Sequence, residues 1–197
     1  MRTTNVFDAL RDLARSEALP PESLVDLATT NPDGTRLWHA LELGDIGQAE
    51  FEHDMAMLLG VQPEGSLRRL ADLLRPDQRM LDLVAELRGR GVRTAVLSNS
   101  WGRGYIDPYA PWQLDTRVDI VILSDQVRMR KPEPGIIQLT ISKLGVPATE
   151  CVFVDDIAAH LDTPAALGVT TIHHTDPDTT IARLTDLFTT PVKPVDR

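Results

Sequence analysis

The chain has 197 residues, 42% of them apolar and 25% charged, with a formal net charge of −9. That size and composition suit one soluble globular domain, or one with a small appendage, able to bury a real core. The acidic balance and the lack of a Lys/Arg run exclude a nucleic-acid-binding face. No apolar run is long enough to cross a bilayer, and "MRTTNVFDAL" lacks the apolar core of a signal peptide. Cys151 is the single cysteine, so no intrachain disulfide forms and a reducing cytoplasm is the expected compartment.

The first third predicts helices. Over residues 5–19, Val6, Leu10, Leu13 and Ala14 recur at helical spacing behind Asn5 as cap, and Pro20 and Pro21 end the pattern. Short helices are predicted over 22–28, 36–43, 48–59 and 64–74, separated by the turns "NPDGT", "LGDIG" and "GVQPEG". After Arg75 the rhythm changes. "PDQRMLDLVAELRGRG" predicts an amphipathic helix, with Pro76 near its start and Gly91 near its end. "VRTAVLSNS" and "RVDIVILSD" predict two buried strands, followed by the helix "EPGIIQLTISKLG". "ECVFVDD" predicts a third strand, "IAAHLDTPAALG" a helix, "VTTIHH" a fourth strand, and 177–188 a last helix. Alternation of this kind implies a doubly wound, Rossmann-like parallel α/β sheet. The expected organisation is a helical cap-like region over 1–75, an α/β core over 76–190 and a tail over 191–197.

Ligands of such sheets bind at the carboxyl ends of the strands, where Ser98, Asn99, Asp155 and Asp156 fall. Ser98 and Asn99 offer hydroxyl, amide and backbone donors, although a Ser-Asn pair also suits an ordinary turn. Lys131 in "RMRKPEPG" is a cation on a proline-fixed turn, or a solvated surface lysine. Asp155 and Asp156 can hold a hard cation such as Mg²⁺ through oxygen, or cap a helix. Donors, a cation and metal-holding carboxylates together suit a phosphoryl group.

"VLSNSWG", "VRMRKPEPG" and "VFVDDIAAHLDTPAALGV" resemble motifs two, three and four of the haloacid dehalogenase (HAD) superfamily, in its phosphatase-like branch that includes the N-terminal domain of soluble epoxide hydrolases. The resemblance covers most of the chain and makes the early helices that branch's small cap. It implies that Ser98 hydrogen-bonds the transferring phosphoryl group with Asn99 beside it, that Lys131 offsets charge, and that Asp155 with Asp156 holds Mg²⁺. It also exposes a gap. The family's first motif, an apolar strand ending in Asp-x-Asp whose first aspartate is the nucleophile, precedes the cap in relatives, and "MRTTNVFDALRDLA" resembles the segment that follows it. "NPDGT" carries the Asp-Gly-Thr ending of that motif, but it follows Asn31-Pro32 rather than an apolar strand and reads as a turn. Asp8 lies within an amphipathic helix, as a face residue. His160 stands where relatives of the branch usually carry Asn, and Arg128 where many carry Gly. His160 lies one helical turn beyond Asp156, as a structural or an acid/base group.

Three functional readings follow: a protein that has lost phosphatase chemistry and binds a ligand or a partner; an enzyme using Asp155, Asp156, His160 or Lys131 for other acid/base chemistry in the old cleft; and a phosphatase whose first strand lies upstream of Met1. The expected partner in the cleft is a small-molecule ligand or substrate, with neither nucleic acid nor membrane engaged; held by Asp155 and Asp156 alone, without the family's other carboxylate ligand, Mg²⁺ binds weakly. In relatives the first motif forms the central strand between the Ser98 and Asp155 strands; without it either those two strands close up and pair directly, the favoured expectation, or a second chain supplies a strand or covers the gap, and exposed apolar surface predicts a homodimer. Trp101, Tyr105, Tyr109 and Trp112 follow the Ser98 strand as pocket lining or as packing.

Overall fold

A computed structural model describes residues 5–61 and 65–189; the "MRTT" start, part of the "GVQPEG" turn with the first residue of the predicted 64–74 helix, and the predicted tail lie outside them.

Five helices come first: α1 (Val6–Ser16), α2 (Ser23–Thr29), α3 (Pro32–Leu43), α4 (Gln48–Leu59) and α5 (Ser66–Leu73). Helix α1 forms as the periodicity predicts: Asn5 accepts from the Phe7 N–H at 2.8 Å, and Ala9, Leu10, Leu13 and Ala14 are buried on one face. Helix α3 starts four residues earlier than predicted, at Pro32 rather than Arg36, because "NPDGT" is a helix start and not a turn. The Asn31 side chain accepts from the N–H groups of Asp33 and Gly34, both at 3.0 Å, and Pro32 occupies the first turn, where its missing N–H costs nothing. Gly34 is required by packing: a Cβ there would sit 2.2 Å from the Leu27 carbonyl oxygen, so only glycine lets α2 and α3 approach so closely. These helices share one apolar cluster around Leu10, Leu41, Phe51, Leu67 and Leu70. Trp101 and Ile106, from beyond the first strand, pack into the same cluster.

The second part alternates. Helix α6 (Gln78–Gly89), capped by Asp77, precedes β1 (Ala95–Ser98). After α7 (Leu114–Arg117) come β2 (Ile120–Leu123), α8 (Ser124–Val127) and α9 (Pro134–Leu144). Then follow β3 (Val152–Asp155), α10 (Asp162–Ala166), β4 (Thr170–His173) and α11 (Pro177–Leu187). All four predicted strands form, each shorter than the segment predicted for it. The predicted helix over 157–168 is broken: a 3₁₀ turn at Ala158–His160 gives way to the short α10.

The pairing is parallel but divided. β1 pairs with β2, Ala95 opposite Ile120, and β3 pairs with β4, Val152 opposite Thr170; among the described residues these are two separate two-stranded sheets. The expected closure of the Ser98 and Asp155 strands onto one another does not occur. Instead a cavity of about 1060 Å³ lies between them, lined on one side by residues from Thr94 to Ser98 and on the other by residues from Cys151 to Asp155. The helices on either face hold the two pairs apart: Met80, Leu83 and Leu87 of α6 pack with Leu184 and Ile172 into a cluster that includes Val152 and Val154, while Leu97 belongs to a different one, with Ile122 and Ile136. Leu97 of β1 and the valines of β3 therefore pack into different clusters. All four residues of β1 and three of the four in β3 are in consequence only half-buried, although central strands of a doubly wound sheet are ordinarily its most buried part.

Candidate active site

The site is built where the chain leaves β1 and β3. Past Ser98 the backbone turns, and the Ser100 N–H donates to the buried Ser124 Oγ at 2.8 Å, tying the end of β1 to the end of β2. Asn99 then becomes a hub. Its Oδ1 accepts from the Lys131 N–H at 2.8 Å, and its Nδ2 donates to the Lys131 carbonyl at 3.2 Å and to Glu42 Oε2 at 3.3 Å. This two-way grip on the Lys131 backbone fastens the proline-flanked loop before α9 to β1. Ser98 Oγ lies 2.8 Å from the Tyr109 hydroxyl and donates to the Asn99 carbonyl at 3.2 Å.

From that loop Lys131 extends its side chain to β3. Nζ donates to Asp155 Oδ2 at 2.6 Å, with the two side chains only 10% and 5% exposed. Both ends of the bridge are held: Asn99 fixes the Lys131 backbone, and Asp155 is the last residue of β3. Asp155 Oδ1 accepts from the Ile157 N–H at 2.8 Å and lies 3.1 Å from His160 Nδ1. Burial alone would push the Asp155 pKa up, but the His160 hydrogen bond and the charge and hydrogen bond of Lys131 outweigh it and hold the carboxyl well below the usual range. Because the carboxylate is ionised it can only accept, so His160 Nδ1 carries the proton and donates it. The break in the predicted 157–168 helix has a local counterpart here: the 3₁₀ turn brings His160 back to Asp155, five residues earlier, rather than to Asp156.

Ser98, Asn99, Lys131, Asp155 and His160 therefore meet at the carboxyl ends of β1 and β3, and all five line the cavity. Asp156 also lines it: its charge acts on His174, a further lining residue, whose pKa burial lowers and Asp156 raises, and its carbonyl lies 3.2 Å from His173 Nε2. Two residues that the sequence reading did not single out join the site. Glu42, from α3, accepts from Arg130 Nε at 2.7 Å as well as from Asn99, so a carboxylate of the early helices lies among the groups of the strand ends. Arg130 precedes Lys131 in a quoted motif, whereas "WHALELG" around Glu42 offers no chemical pattern. Of the aromatic cluster, Trp101, Tyr109 and Trp112 line the cavity, and Trp101 also packs edge-on against Trp38 at 6.5 Å. Tyr105 stays largely exposed. Arg128 sits at φ 53°, which accounts for the glycine expected there, and pairs with Asp45.

The residues present do not by themselves fit Mg²⁺. That ion demands near-ideal octahedral oxygen geometry, yet both Asp155 oxygens are already engaged by Lys131, His160 and the Ile157 N–H. Among the described residues no cluster of three His, Cys, Asp or Glu groups is placed to hold a metal.

Ser98, Lys131 and Asp155 thus come together at the carboxyl ends of parallel strands, with Lys131 and Asp155 bridged to each other. A model of the family described as "haloacid dehalogenase-like hydrolase" matches residues 3–168. The chain belongs to that family. A sesquiterpene phosphatase of Aspergillus oryzae is 28% identical over 171 residues, which cover 84% of this chain and 85% of that protein. The bifunctional epoxide hydrolase 2 of Sus scrofa is 33% identical over 113 residues, 53% of this chain but only 20% of that protein. Among solved structures, a HAD family enzyme from Bacteroides thetaiotaomicron in complex with magnesium and inorganic phosphate superposes with a TM-score of 0.67 at 20% identity, covering 91% of this chain and 93% of that one. At that identity the likeness bears on the fold, and the HAD-like α/β architecture expected from the sequence is the one found.

Proposed function

We propose that the cleft at the ends of β1 and β3 is a phosphate-ester site of the HAD phosphatase type, in which the described residues bind and orient the phosphoryl group but supply no nucleophile. The observation that carries this is the Asn99 hub, which holds Ser98, Lys131 and Asp155 around one cavity mouth. Ser98 is a phosphate donor once its hydroxyl turns from the Asn99 carbonyl, and Asn99 donates through its backbone N–H, because both of its amide hydrogens go to Lys131 and Glu42. Lys131 has two ammonium hydrogens left after its bond to Asp155, and offsets phosphoryl charge. The phosphatase relative and the magnesium–phosphate complex of the structural neighbour support the assignment of ligand class. The carboxylates at the mouth are committed elsewhere: Asp155 to Lys131 and His160, and Glu42 to Arg130 and Asn99. Without an attacking group, positioning alone leaves a residue of the rate, since losing a nucleophile costs roughly a millionfold.

The test is to assay the purified chain against a panel of small phosphate monoesters with and without Mg²⁺, alongside calorimetric titration with inorganic phosphate. Phosphate binding that Lys131→Met weakens, with only trace turnover, is the expected outcome. Robust Mg²⁺-dependent turnover abolished by Asp155→Ala would sink the proposal. One observation favours a second reading. An ionised Asp155 fixing the Nδ1–H of His160 leaves Nε2 as an acceptor, the tautomer a general base needs. Acid/base chemistry on a small molecule in the same cleft would then show a pH–rate profile that His160→Gln abolishes.

A further inference from the structure

Tyr109 is buried beside the end of β1, and neither the phosphate-ester reading nor the acid/base one gives its hydroxyl a task. The ring is firmly seated. It packs with Leu114 and Leu123, against Val96 of β1 and Val121 of β2, and meets the Trp112 ring edge-on at 6.3 Å. Its backbone is held as well: the Tyr109 N–H donates to Asp107 Oδ1 at 2.9 Å, and its carbonyl accepts from the Trp112 N–H at 2.9 Å. A phenol fixed in this way places its oxygen 2.8 Å from Ser98 Oγ, at the wall of the cleft.

The direction of that bond follows from the hydrogens available. A serine hydroxyl has one hydrogen and two lone pairs. The Ser98 hydrogen goes to the Asn99 carbonyl, so in the contact with Tyr109 the phenol is the donor and Ser98 Oγ accepts. The bond to the Asn99 carbonyl, at 3.2 Å, is long for a hydroxyl donor, and a charged phosphoryl oxygen is the stronger acceptor. When the serine hydrogen turns to it, the phenol keeps its hold on the oxygen, and donation into Ser98 Oγ polarises the O–H that does the binding. We propose that Tyr109 is a positioning residue of the cleft: its phenol donates to Ser98 Oγ, anchors that oxygen and leaves the serine hydrogen for the phosphoryl group. This rests on the phosphate-ester reading of the site.

The test titrates inorganic phosphate into the full chain, by calorimetry and by NMR with tyrosine labelled at its ζ-carbon. The chain has two tyrosines, and Tyr105 is largely exposed and not among the lining residues, so it serves as the internal control. Tyr105→Phe assigns the two signals. Phosphate should move the Tyr109 signal and leave that of Tyr105, and Ser98→Ala should abolish the movement. Tyr109→Phe keeps the ring and should weaken phosphate binding by about three- to tenfold. In a Ser98→Ala background the same substitution should change the affinity by less than about twofold, because the two hydroxyls act as one unit. An unmoved Tyr109 signal at saturating phosphate, or an unchanged affinity in Tyr109→Phe, overturns the positioning role and leaves the phosphate-ester reading standing. So does a Tyr109 signal that still moves without the Ser98 hydroxyl, or an equal loss from Tyr109→Phe in both backgrounds, which is the mark of packing alone. The NMR arm uses the Tyr109 chain itself, so it decides the point even where Tyr109→Phe folds poorly. Failure of the unsubstituted chain to bind phosphate at all sinks the reading of the site and this inference with it.

Discussion

Replacing Asp155 by Asn tests whether the Lys131 bridge holds the site together. The exchange keeps the shape and removes the charge. The Lys131 ammonium is then left in a position where its side chain is 10% exposed, facing an amide whose NH₂ can only repel it. Removing one partner of a buried ion pair costs about 3–5 kcal/mol. The amide oxygen keeps one hydrogen bond, returning about 1 kcal/mol, so the expected loss is about 2–4 kcal/mol. For a chain of this size each kcal/mol shifts Tm by about 2–4 °C, so Tm should fall by about 4–16 °C. The sign of the pH dependence follows from the depressed Asp155 pKa. A carboxyl held below its ordinary value stabilises the fold at pH values above the unfolded value of about 3.9, and that stabilisation is lost as the pH falls towards the folded value. The gap between wild type and Asp155→Asn should thus be full at pH 7 and shrink below about pH 4. Urea titrations at pH 7 and across the acid range measure both. A loss under about 1 kcal/mol at pH 7, or a gap that persists in acid, refutes the bridge as described. Lys131→Met combined with Asp155→Leu should recover part of the loss, because two matched apolar groups leave no charge stranded.

Three further substitutions probe the frame around the site. Gly34→Ala would place a Cβ 2.2 Å from the Leu27 carbonyl oxygen and should destabilise by about 1–3 kcal/mol in thermal melts, despite alanine's better helix propensity. Arg128→Gly relieves a left-handed backbone at φ 53° and gives up an ion pair whose side chains are 67% and 44% exposed. Because exposed pairs contribute about 0–1 kcal/mol and the backbone relief about 1 kcal/mol, Tm should hold or rise slightly. Gln48→Ala strips the bonds that the side chain makes to the carbonyls of Trp101, Gly102 and Ile106 and to the Ile106 N–H. The expected cost is about 2–4 kcal/mol, read by denaturation, with faster exchange at the Ile106 amide.

The strands and the convergence of Ser98, Asn99, Lys131 and Asp155 were legible because each depends on local signals: an apolar run, then small or acidic residues at its end. "NPDGT" misled because Asn-Pro opens both turns and helices, and the packing of Gly34 against Leu27, which decides between them, is a contact between helices. The partner of His160 was misplaced for a similar reason. Spacing of four suggests Asp156 if the segment is α-helical, but the 3₁₀ turn changes the geometry and selects Asp155. Glu42 could not be found at all, since its role arises from the placement of α3 over the strand ends, a long-range fact with no local signature. The closure of β1 onto β3 failed as an expectation because it weighed unpaired backbone without the helices, whose side chains anchor each strand to a separate cluster.

The half-burial of β1 and β3 also shapes how the chain responds to temperature. The heat-capacity change of unfolding comes mainly from newly wetted apolar surface, and is about 12–15 cal/mol/K per residue for an ordinary globular protein. Here the walls of a 1060 Å³ cavity already touch solvent in the native state, so unfolding has less apolar surface left to expose. The stability curve should be flatter in consequence, so that cooling weakens the fold less than usual. Whatever fills that cavity with apolar surface restores the curvature along with the stability.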